Sequence, residues 1–206
     1  MQVDFNGPAG RLEALYEEPD GVRFAAVVCH PHPLFGGTLH NHATYRLARA
    51  VRDCGGASLR FNFRGVGRSA GAHSGSEEAG DVRAALAWLT ERHPELPRYA
   101  CGFSFGAWMA LAAGCADPAV HGVLVAGLAT GSFDLGIVRR CPKPVAGVQA
   151  QHDELADAAL VERLFSGGTH PRRLTVVANA THLFAEDLPA LQREAAAALD
   201  WLRESA

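Results

Sequence analysis

A glycine-bounded turn with the pattern G-x-S-x-G, residues 102–106, joins a strand-like run to a helix-like run. The preceding residues 99–101 are short and apolar, and residues 107–113 are apolar and rich in alanine. Because the two glycines of the turn lack β-carbons, the chain can pass from strand to helix within a few residues. Ser104 then projects clear of the strand at the positive end of the helix dipole. This context predicts a nucleophilic serine, provided that the chain also supplies a base, an acid and an oxyanion site.

Strand-like and helix-like runs alternate along the rest of the chain. The strand-like runs cover residues 24–29, 57–63, 99–101, 122–126, 144–148 and 173–178. The helix-like runs cover residues 45–53, 77–92, 107–113 and 155–165 and a last segment from about 187, and Ser74 with Glu77 reads as a capping box for the second of them. Segments 3–5 and 12–17 have no helix between them and predict an antiparallel edge hairpin. We therefore predict one α/β domain over residues 1–206, with a mostly parallel, twisted sheet of about eight strands and helices on both faces.

Two downstream residues could activate Ser104. His182 lies between the last predicted strand and the last predicted helix, and imidazole accepts a proton near neutral pH. Asp153 follows the penultimate predicted strand and could orient the histidine, although the same position would suit a helix N-cap. The rival acidic residues are Glu154, Asp157 and Asp134.

The loop after the predicted third strand could supply an oxyanion site. One backbone N–H is expected from Phe105, the residue after the serine, and the other from the loop at residues 30–37. Pro31 and Pro33 have no N–H, so His32 is the first choice and Leu34 the second. The side chains of Leu34 and Phe103 are expected to contact substrate.

Two other motifs allow different interpretations. A metal could be bound by histidines, but no acidic residue lies among them: His30, His32, His40 and His42. Residues 65–71 suggest a dinucleotide loop, but the third glycine comes one residue too late for G-x-G-x-x-G and no helix-like run begins directly after it. We expect no metal and no cofactor, and we interpret Arg64 and Arg68 as structural or rim residues.

The composition and net charge limit the classes of molecule that this protein is expected to bind. The net charge of −3 argues against electrostatic binding to nucleic acid or an anionic membrane. The amino terminus lacks a signal-peptide pattern and no run reaches membrane-spanning length. Five dispersed cysteines without C-x-x-C predict reduced thiols and a cytoplasmic location. A small-molecule acyl substrate is the expected partner, and a homo-oligomer is left open.

These motifs together resemble the α/β-hydrolase superfamily over nearly the whole chain. Residues 30–37, H-P-H-P-L-F-G-G, stand where that superfamily often has an H-G loop. Residues 62–69 are similar to its D-x-R-G-x-G-x-S segment, with Asn62 in place of aspartate. In particular, the chain resembles small bacterial hydrolases without a lid. The resemblance implies that Ser104, Asp153 and His182 are its nucleophile, acid and base.

The length of one connection bears on the choice of substrate. Only about fifteen residues, 129–143, separate two predicted strands, too few for a helical lid of ordinary size. An open, shallow pocket is therefore expected, suited to small or exposed acyl groups. The favoured function is hydrolysis of a carboxylic ester through an acyl-enzyme. The alternatives are amide or peptide hydrolysis, acyl transfer, and a non-catalytic binding protein on the same fold.

Overall fold

An eight-stranded sheet organises the described part of the chain, residues 1–131 and 133–205, in this computed structural model. The strands are β1 (Gln2–Gly7), β2 (Gly10–Glu17), β3 (Phe24–Cys29), β4 (Gly56–Phe61), β5 (Arg98–Phe103), β6 (Val120–Ala126), β7 (Val145–Ala150) and β8 (Arg172–Val177). The helices are α1 (His42–Asp53), α2 (Glu78–Arg92), α3 (Phe105–Gly114), α4 (Gly136–Arg140), α5 (Ala158–Phe165) and α6 (Leu188–Ser205), with a short 3-10 turn at Pro33–Phe35. No helix among these residues is long and apolar enough to cross a bilayer.

The sheet is mostly parallel, as predicted. Its strand order is β1-β2-β4-β3-β5-β6-β7-β8. The predicted edge hairpin is confirmed, because β1 and β2 pair antiparallel and β2 pairs antiparallel with β4. All remaining neighbours pair in parallel. Strands β3 to β7 lie inside the sheet, which explains why most of their residues are apolar and do not alternate with polar ones.

Helices cover both faces of the sheet and leave its carboxyl edge open. On one face α1 and α6 pack against each other and against the central strands, and α6 buries an apolar stripe that includes Leu191, Ala195 and Leu202. Helices α2, α3 and α5 pack on the opposite face. Loops leaving the carboxyl ends of β3, β5 and β7 therefore meet above the sheet, as expected for the ligand-binding edge of such folds.

The start of α2 differs from the predicted capping box. The Ser74 hydroxyl accepts the Glu77 N–H at 2.9 Å, as predicted, but the returning carboxylate belongs to Glu78, whose Oε1 accepts the Ser74 N–H at 2.7 Å. The Glu77 side chain turns instead to Arg64. Arg64 is buried and also binds fully buried Asp81, so its structural interpretation fits this geometry. In the pair that Glu77 forms with Arg64, both the donor and the acceptor are ionised.

The cysteines depart from the prediction in one pair. Cys115 and Cys141 form a disulfide that joins the end of α3 to the end of α4. The other three cysteines, Cys29, Cys54 and Cys101, are buried thiols. The sequence could not reveal the pair, because its members are 26 residues apart and meet only when α4 folds back over α3. As predicted, the described residues of the connection between β6 and β7 form no lid. The helix in this connection, α4, has only five residues.

Candidate active site

Ser104 occupies the sharp turn between β5 and α3. Its backbone has φ 54° and ψ −119°, a left-handed conformation that a residue with a side chain rarely adopts. The Ser104 N–H bonds the Ala126 carbonyl of the neighbouring strand at 2.9 Å, which anchors the turn to the sheet. Its residue surface is 8% exposed, so the hydroxyl lies at the floor of a depression.

The two glycines of the turn permit its tight packing. A β-carbon on Gly102 would collide with the Gly106 carbonyl and lie 2.6 Å from the Ala107 nitrogen. A β-carbon on Gly106 would collide with the carbonyl of Cys29 in β3. Both obstacles are backbone atoms, which cannot swing aside as a flexible side chain can.

We expect Gly102→Ala to lower the free energy of unfolding by about 3 kcal/mol, the upper range for overpacking a tight site. Urea denaturation followed by circular dichroism measures this change. Gly131→Ala is the matched control, because a β-carbon there meets no atom within 4 Å, and its effect should stay within about 0.5 kcal/mol. Equal effects of the two substitutions would contradict the packing account.

The side chains of Ser104, His182 and Asp153 meet at the carboxyl edge of the sheet. His182 Nε2 lies 2.9 Å from Ser104 Oγ, and His182 Nδ1 lies 2.9 Å from both carboxylate oxygens of Asp153. The His182 side chain is 5% exposed and that of Asp153 is 2% exposed. This arrangement can pass the serine proton to the imidazole while the carboxylate faces the other ring nitrogen.

A further set of hydrogen bonds fixes the carboxylate and the histidine backbone. Gln149 Nε2 donates to Asp153 Oδ2 at 2.5 Å, and the Leu155 N–H donates to Asp153 Oδ1 at 2.9 Å. The His182 N–H donates to a Glu154 carboxylate oxygen at 3.1 Å. The ring of His182 packs against Phe103, with centroids 5.3 Å apart. The orientation of the imidazole therefore depends on both its polar partners and its packing.

The rival acidic residues have other partners. Asp157 caps α5 by accepting the Leu160 N–H at 2.9 Å. Consequently the helix begins three residues later than the predicted 155, and the capping role considered for Asp153 belongs to Asp157. Asp134 is exposed and pairs with Arg140. Glu154 contacts the backbone of His182 rather than its ring.

His30 holds the loop that carries the predicted oxyanion residues. Burial lowers the pKa of His30 to about 4, so its ring is neutral near pH 7. The Phe63 N–H donates to His30 Nε2 at 3.1 Å, and Nδ1 therefore carries the proton that faces the Pro31 carbonyl at 2.6 Å. Both ring nitrogens are thus engaged within the fold, which leaves no lone pair for a metal.

The structure distinguishes the two candidates for the second oxyanion amide. The Leu34 N–H donates to the His32 side chain at Nδ1, 3.2 Å away, so this amide is already engaged. Among residues 1–131 and 133–205, no acceptor pairs with the N–H of His32 or of Phe105. These two amides remain available for a developing negative charge.

The imidazole of His32 sits in an aromatic cluster. Its ring centroid lies 5.0 Å from both Phe35 and Phe105 and 4.9 Å from His73. Burial, followed by the influence of His73, lowers the pKa of His32, which favours the neutral ring that can accept the Leu34 N–H. His73 in turn pairs with the buried carboxylate of Glu78 at 2.8 Å.

An apolar cleft of about 230 Å³ opens beside Ser104. Its lining residues are His32, Phe35, Ser104, Phe105, Ala129, Gly131, Phe133 and Leu155. The sequence motifs did not identify Phe35, Phe133 or Leu155 as site residues. Phe35 had a local signal, because it lies in the H-P-H-P-L-F-G-G loop that was expected to form the oxyanion site. Phe133 and Leu155 had none, because they reach the cleft only through the paths of two other loops.

The two predicted substrate-contacting side chains lie elsewhere. Phe103 is fully buried on the α1–α6 face of the sheet, where it packs with His182 and Phe184. The side chain of Phe105, beyond the turn, lines the cleft instead. Leu34 is 72% exposed and does not line the cleft. Neither Phe103 nor Leu34 lines this cleft, and the contact of these two side chains with substrate stays a prediction.

The remaining histidines that were considered as metal ligands are dispersed. His40 is exposed in a turn, and His42 is the exposed first residue of α1. Within the described ranges, no group of three or more His, Cys, Asp or Glu side chains has an arrangement that could hold a metal ion.

Comparison with known proteins extends these observations. The family model of "Serine aminopeptidase, S33" matches residues 25–143. An uncharacterised Rickettsia prowazekii protein, RP471, is 34% identical over 194 residues, which cover 89% of this chain and 82% of that protein.

Two solved structures superpose on this protein over nearly its full length. A protein of unknown function from Agrobacterium tumefaciens, ATU1826, superposes with a TM-score of 0.89 at 32% identity, covering 99% of this chain and 97% of that one. XC6422 from Xanthomonas campestris, described as an α/β serine hydrolase without lid, has a TM-score of 0.88 at 28% identity and covers 98% and 94%. The chain belongs to the serine aminopeptidase S33 family and has the α/β-hydrolase fold without a lid domain.

Proposed function

We propose that this protein hydrolyses carboxylic esters through a covalent acyl-enzyme on Ser104. The observation that carries the proposal is the chain of contacts from Ser104 Oγ to His182 Nε2 and from His182 Nδ1 to Asp153, each 2.9 Å long, beside an apolar cleft. The fold and the family membership support a hydrolase. The ester specificity and the residue roles are the proposed part.

The proposed reaction has two halves that use the same residues. The Ser104 oxygen attacks the substrate carbonyl while His182 takes the hydroxyl proton, and the amides of Phe105 and His32 stabilise the oxyanion. His182 then gives this proton to the leaving alcohol as the ester bond breaks. Water attacks the acyl-enzyme in the second half, with His182 again accepting and returning a proton. The products are a carboxylic acid and an alcohol, and the reaction needs no cofactor.

An aminopeptidase activity, which the family description names, is the second candidate. An aminopeptidase must bind a protonated α-amino group, and carboxylates or carbonyl oxygens usually satisfy such a cation. Acidic side chains are absent from the described lining of the cleft, which is mainly aromatic and aliphatic. This composition favours an uncharged acyl group, and therefore an ester substrate, over a peptide with a free amino terminus.

The partner is proposed to be a small molecule rather than a nucleic acid or a membrane. The cytoplasmic location stays a prediction. The Cys115–Cys141 bond weighs against it, because disulfides persist mainly in oxidising compartments.

A fluorophosphonate probe tests the proposed chemistry, because it reacts with an activated serine and mimics acyl transfer. We expect one equivalent of label per wild-type chain and no label in Ser104→Ala. Ser166→Ala is the control, since this exposed serine lies at the end of α5 and should leave labelling intact. Absence of labelling in well-folded wild-type protein would eliminate the proposal.

A further inference from the structure

The cleft beside Ser104 has aromatic walls. Phe133 stacks on Trp108 with ring centroids 5.1 Å apart and an interplanar angle of 21°. The ring centroid of Phe105 lies 6.0 Å from that of Phe133 and 5.0 Å from that of His32. The ring of Phe35 continues the wall beyond His32. The rings from Phe35 to Phe133 therefore form a continuous aromatic surface beside the nucleophile.

These walls are held in place by packing and by one buried hydrogen bond. The indole N–H of Trp108 donates to the Ala129 carbonyl at 2.9 Å, which ties α3 to the β6–β7 connection that carries Phe133. Trp108 is only 3% exposed, so the face it offers to Phe133 is fixed from below. Preformed aromatic walls bind a planar group at a low entropic cost.

The position of the cleft relates it to the acyl half of the substrate. Its lining includes Ser104 and both proposed oxyanion residues, His32 and Phe105, but not His182. In the proposed reaction the leaving alcohol must receive its proton from His182 Nε2. The alcohol therefore leaves on the His182 side, and the group attached to the carbonyl carbon extends into the cleft.

Size and polarity then define the acyl group. An apolar cavity of about 150 Å³ accommodates benzene, so the cleft of about 230 Å³ has room for one ring with a short linker. A long alkyl chain would extend past the cleft into solvent. The lining in the described part of the chain has no charged side chain to pair with an ionised acyl group.

We propose that the physiological substrate is an ester whose acyl group carries one uncharged aromatic ring on a short linker, and that Phe133 determines this specificity. The inference rests on the proposed ester hydrolysis and adds the class of acyl group. Offset stacking between the substrate ring and Phe133 supplies the preference for a ring over an aliphatic chain.

Two isomeric esters test the proposal directly. Methyl hydrocinnamate carries its phenyl ring on the acyl side, whereas phenethyl acetate carries the same ring on the alcohol side. Methyl nonanoate has the same number of carbon atoms as these esters and no ring. With acid release followed in a pH-stat, kcat/KM for methyl hydrocinnamate should exceed that for each of the other two by about tenfold or more.

Variants of Phe133 test the role of this side chain. Phe133→Ala should lower the ratio of kcat/KM for methyl hydrocinnamate to that for phenethyl acetate about tenfold. Phe133→Leu retains apolar bulk without a ring, so it should lower the preference for methyl hydrocinnamate over methyl nonanoate and provides a second test if the alanine variant does not fold. Tyr45→Ala, which removes an aromatic side chain from α1 on the opposite face of the sheet, should leave both ratios unchanged.

The possible failures are distinguishable. If the protein binds the fluorophosphonate at Ser104 and hydrolyses phenethyl acetate or methyl nonanoate as well as methyl hydrocinnamate, the aryl-acyl proposal is overturned and ester hydrolysis stands. If Phe133→Ala lowers kcat/KM for phenethyl acetate more than kcat/KM for methyl hydrocinnamate, the cleft holds the alcohol half of the ester. This result also overturns the aryl-acyl proposal. If the folded protein neither labels nor hydrolyses any of the three esters, both proposals fall.

Discussion

Replacing His182 with alanine is expected to lower kcat for ester hydrolysis by about 10⁴-fold or more, the scale found when a base is removed from a serine triad. A neutral serine hydroxyl is a weak nucleophile, and His182 Nε2, at 2.9 Å, is the ring nitrogen positioned to take its proton. Removing the imidazole leaves the oxyanion amides of Phe105 and His32 in place. A small residual rate above that of water should therefore persist.

The measurement is steady-state turnover of a methyl ester by the purified variant, together with its thermal unfolding. The ring of His182 packs on Phe103, so a modest loss of stability is expected alongside the large loss of rate. His170→Ala is the matched control, since His170 is an exposed histidine in the turn before β8. Turnover that remains within a few-fold of wild type in a folded His182→Ala variant would eliminate this residue as the base.

The order of the candidate site residues could be predicted because each follows a recognisable strand. Ser104, Asp153 and His182 come after the runs that form β5, β7 and β8, and the carboxyl ends of parallel strands lie at one edge of a sheet. Continuous apolar runs and glycine stops are local signals. They therefore sufficed for the strands, the edge hairpin and the longer helices, with errors of a few residues at helix starts, but they did not predict the five-residue α4.

The cleft could not be predicted in the same way, because its walls depend on side-chain direction and loop path. Phe103 and Phe105 are the two sequence neighbours of Ser104. Because of the strained turn, the side chain of Phe103 lies on the α1–α6 face of the sheet and that of Phe105 lines the cleft. Phe133 reaches the site only through the course of the β6–β7 connection over α3. The Cys115–Cys141 bond depends on the same course, so the wide spacing of the cysteines and the absence of C-x-x-C wrongly predicted reduced thiols for this pair.

Replacing Asp153 with asparagine is expected to lower kcat by about 10³- to 10⁴-fold, because the amide favours the wrong imidazole tautomer and no longer stabilises the imidazolium. The surroundings of this carboxylate sharpen the expectation. Its two oxygens accept hydrogen bonds from Gln149 Nε2 and from the Leu155 N–H in addition to facing His182 Nδ1. Asparagine has one oxygen for these donors, so its NH₂ group must face at least one of them.

The same substitution at the rival carboxylates separates a catalytic role from a structural one. Asp157→Asn should leave kcat within about twofold and stability nearly unchanged, because asparagine caps a helix about as well as aspartate. Asp134→Asn removes only an exposed pair with Arg140, which contributes little to stability. Turnover by the three variants under identical conditions, with unfolding curves for each, decides between them. A large loss at Asp157 or Asp134 with little loss at Asp153 would assign the acid to the other residue. Loss at Asp153 alone would indicate that the carboxylate 2.9 Å from His182 Nδ1 orients the base for attack by Ser104.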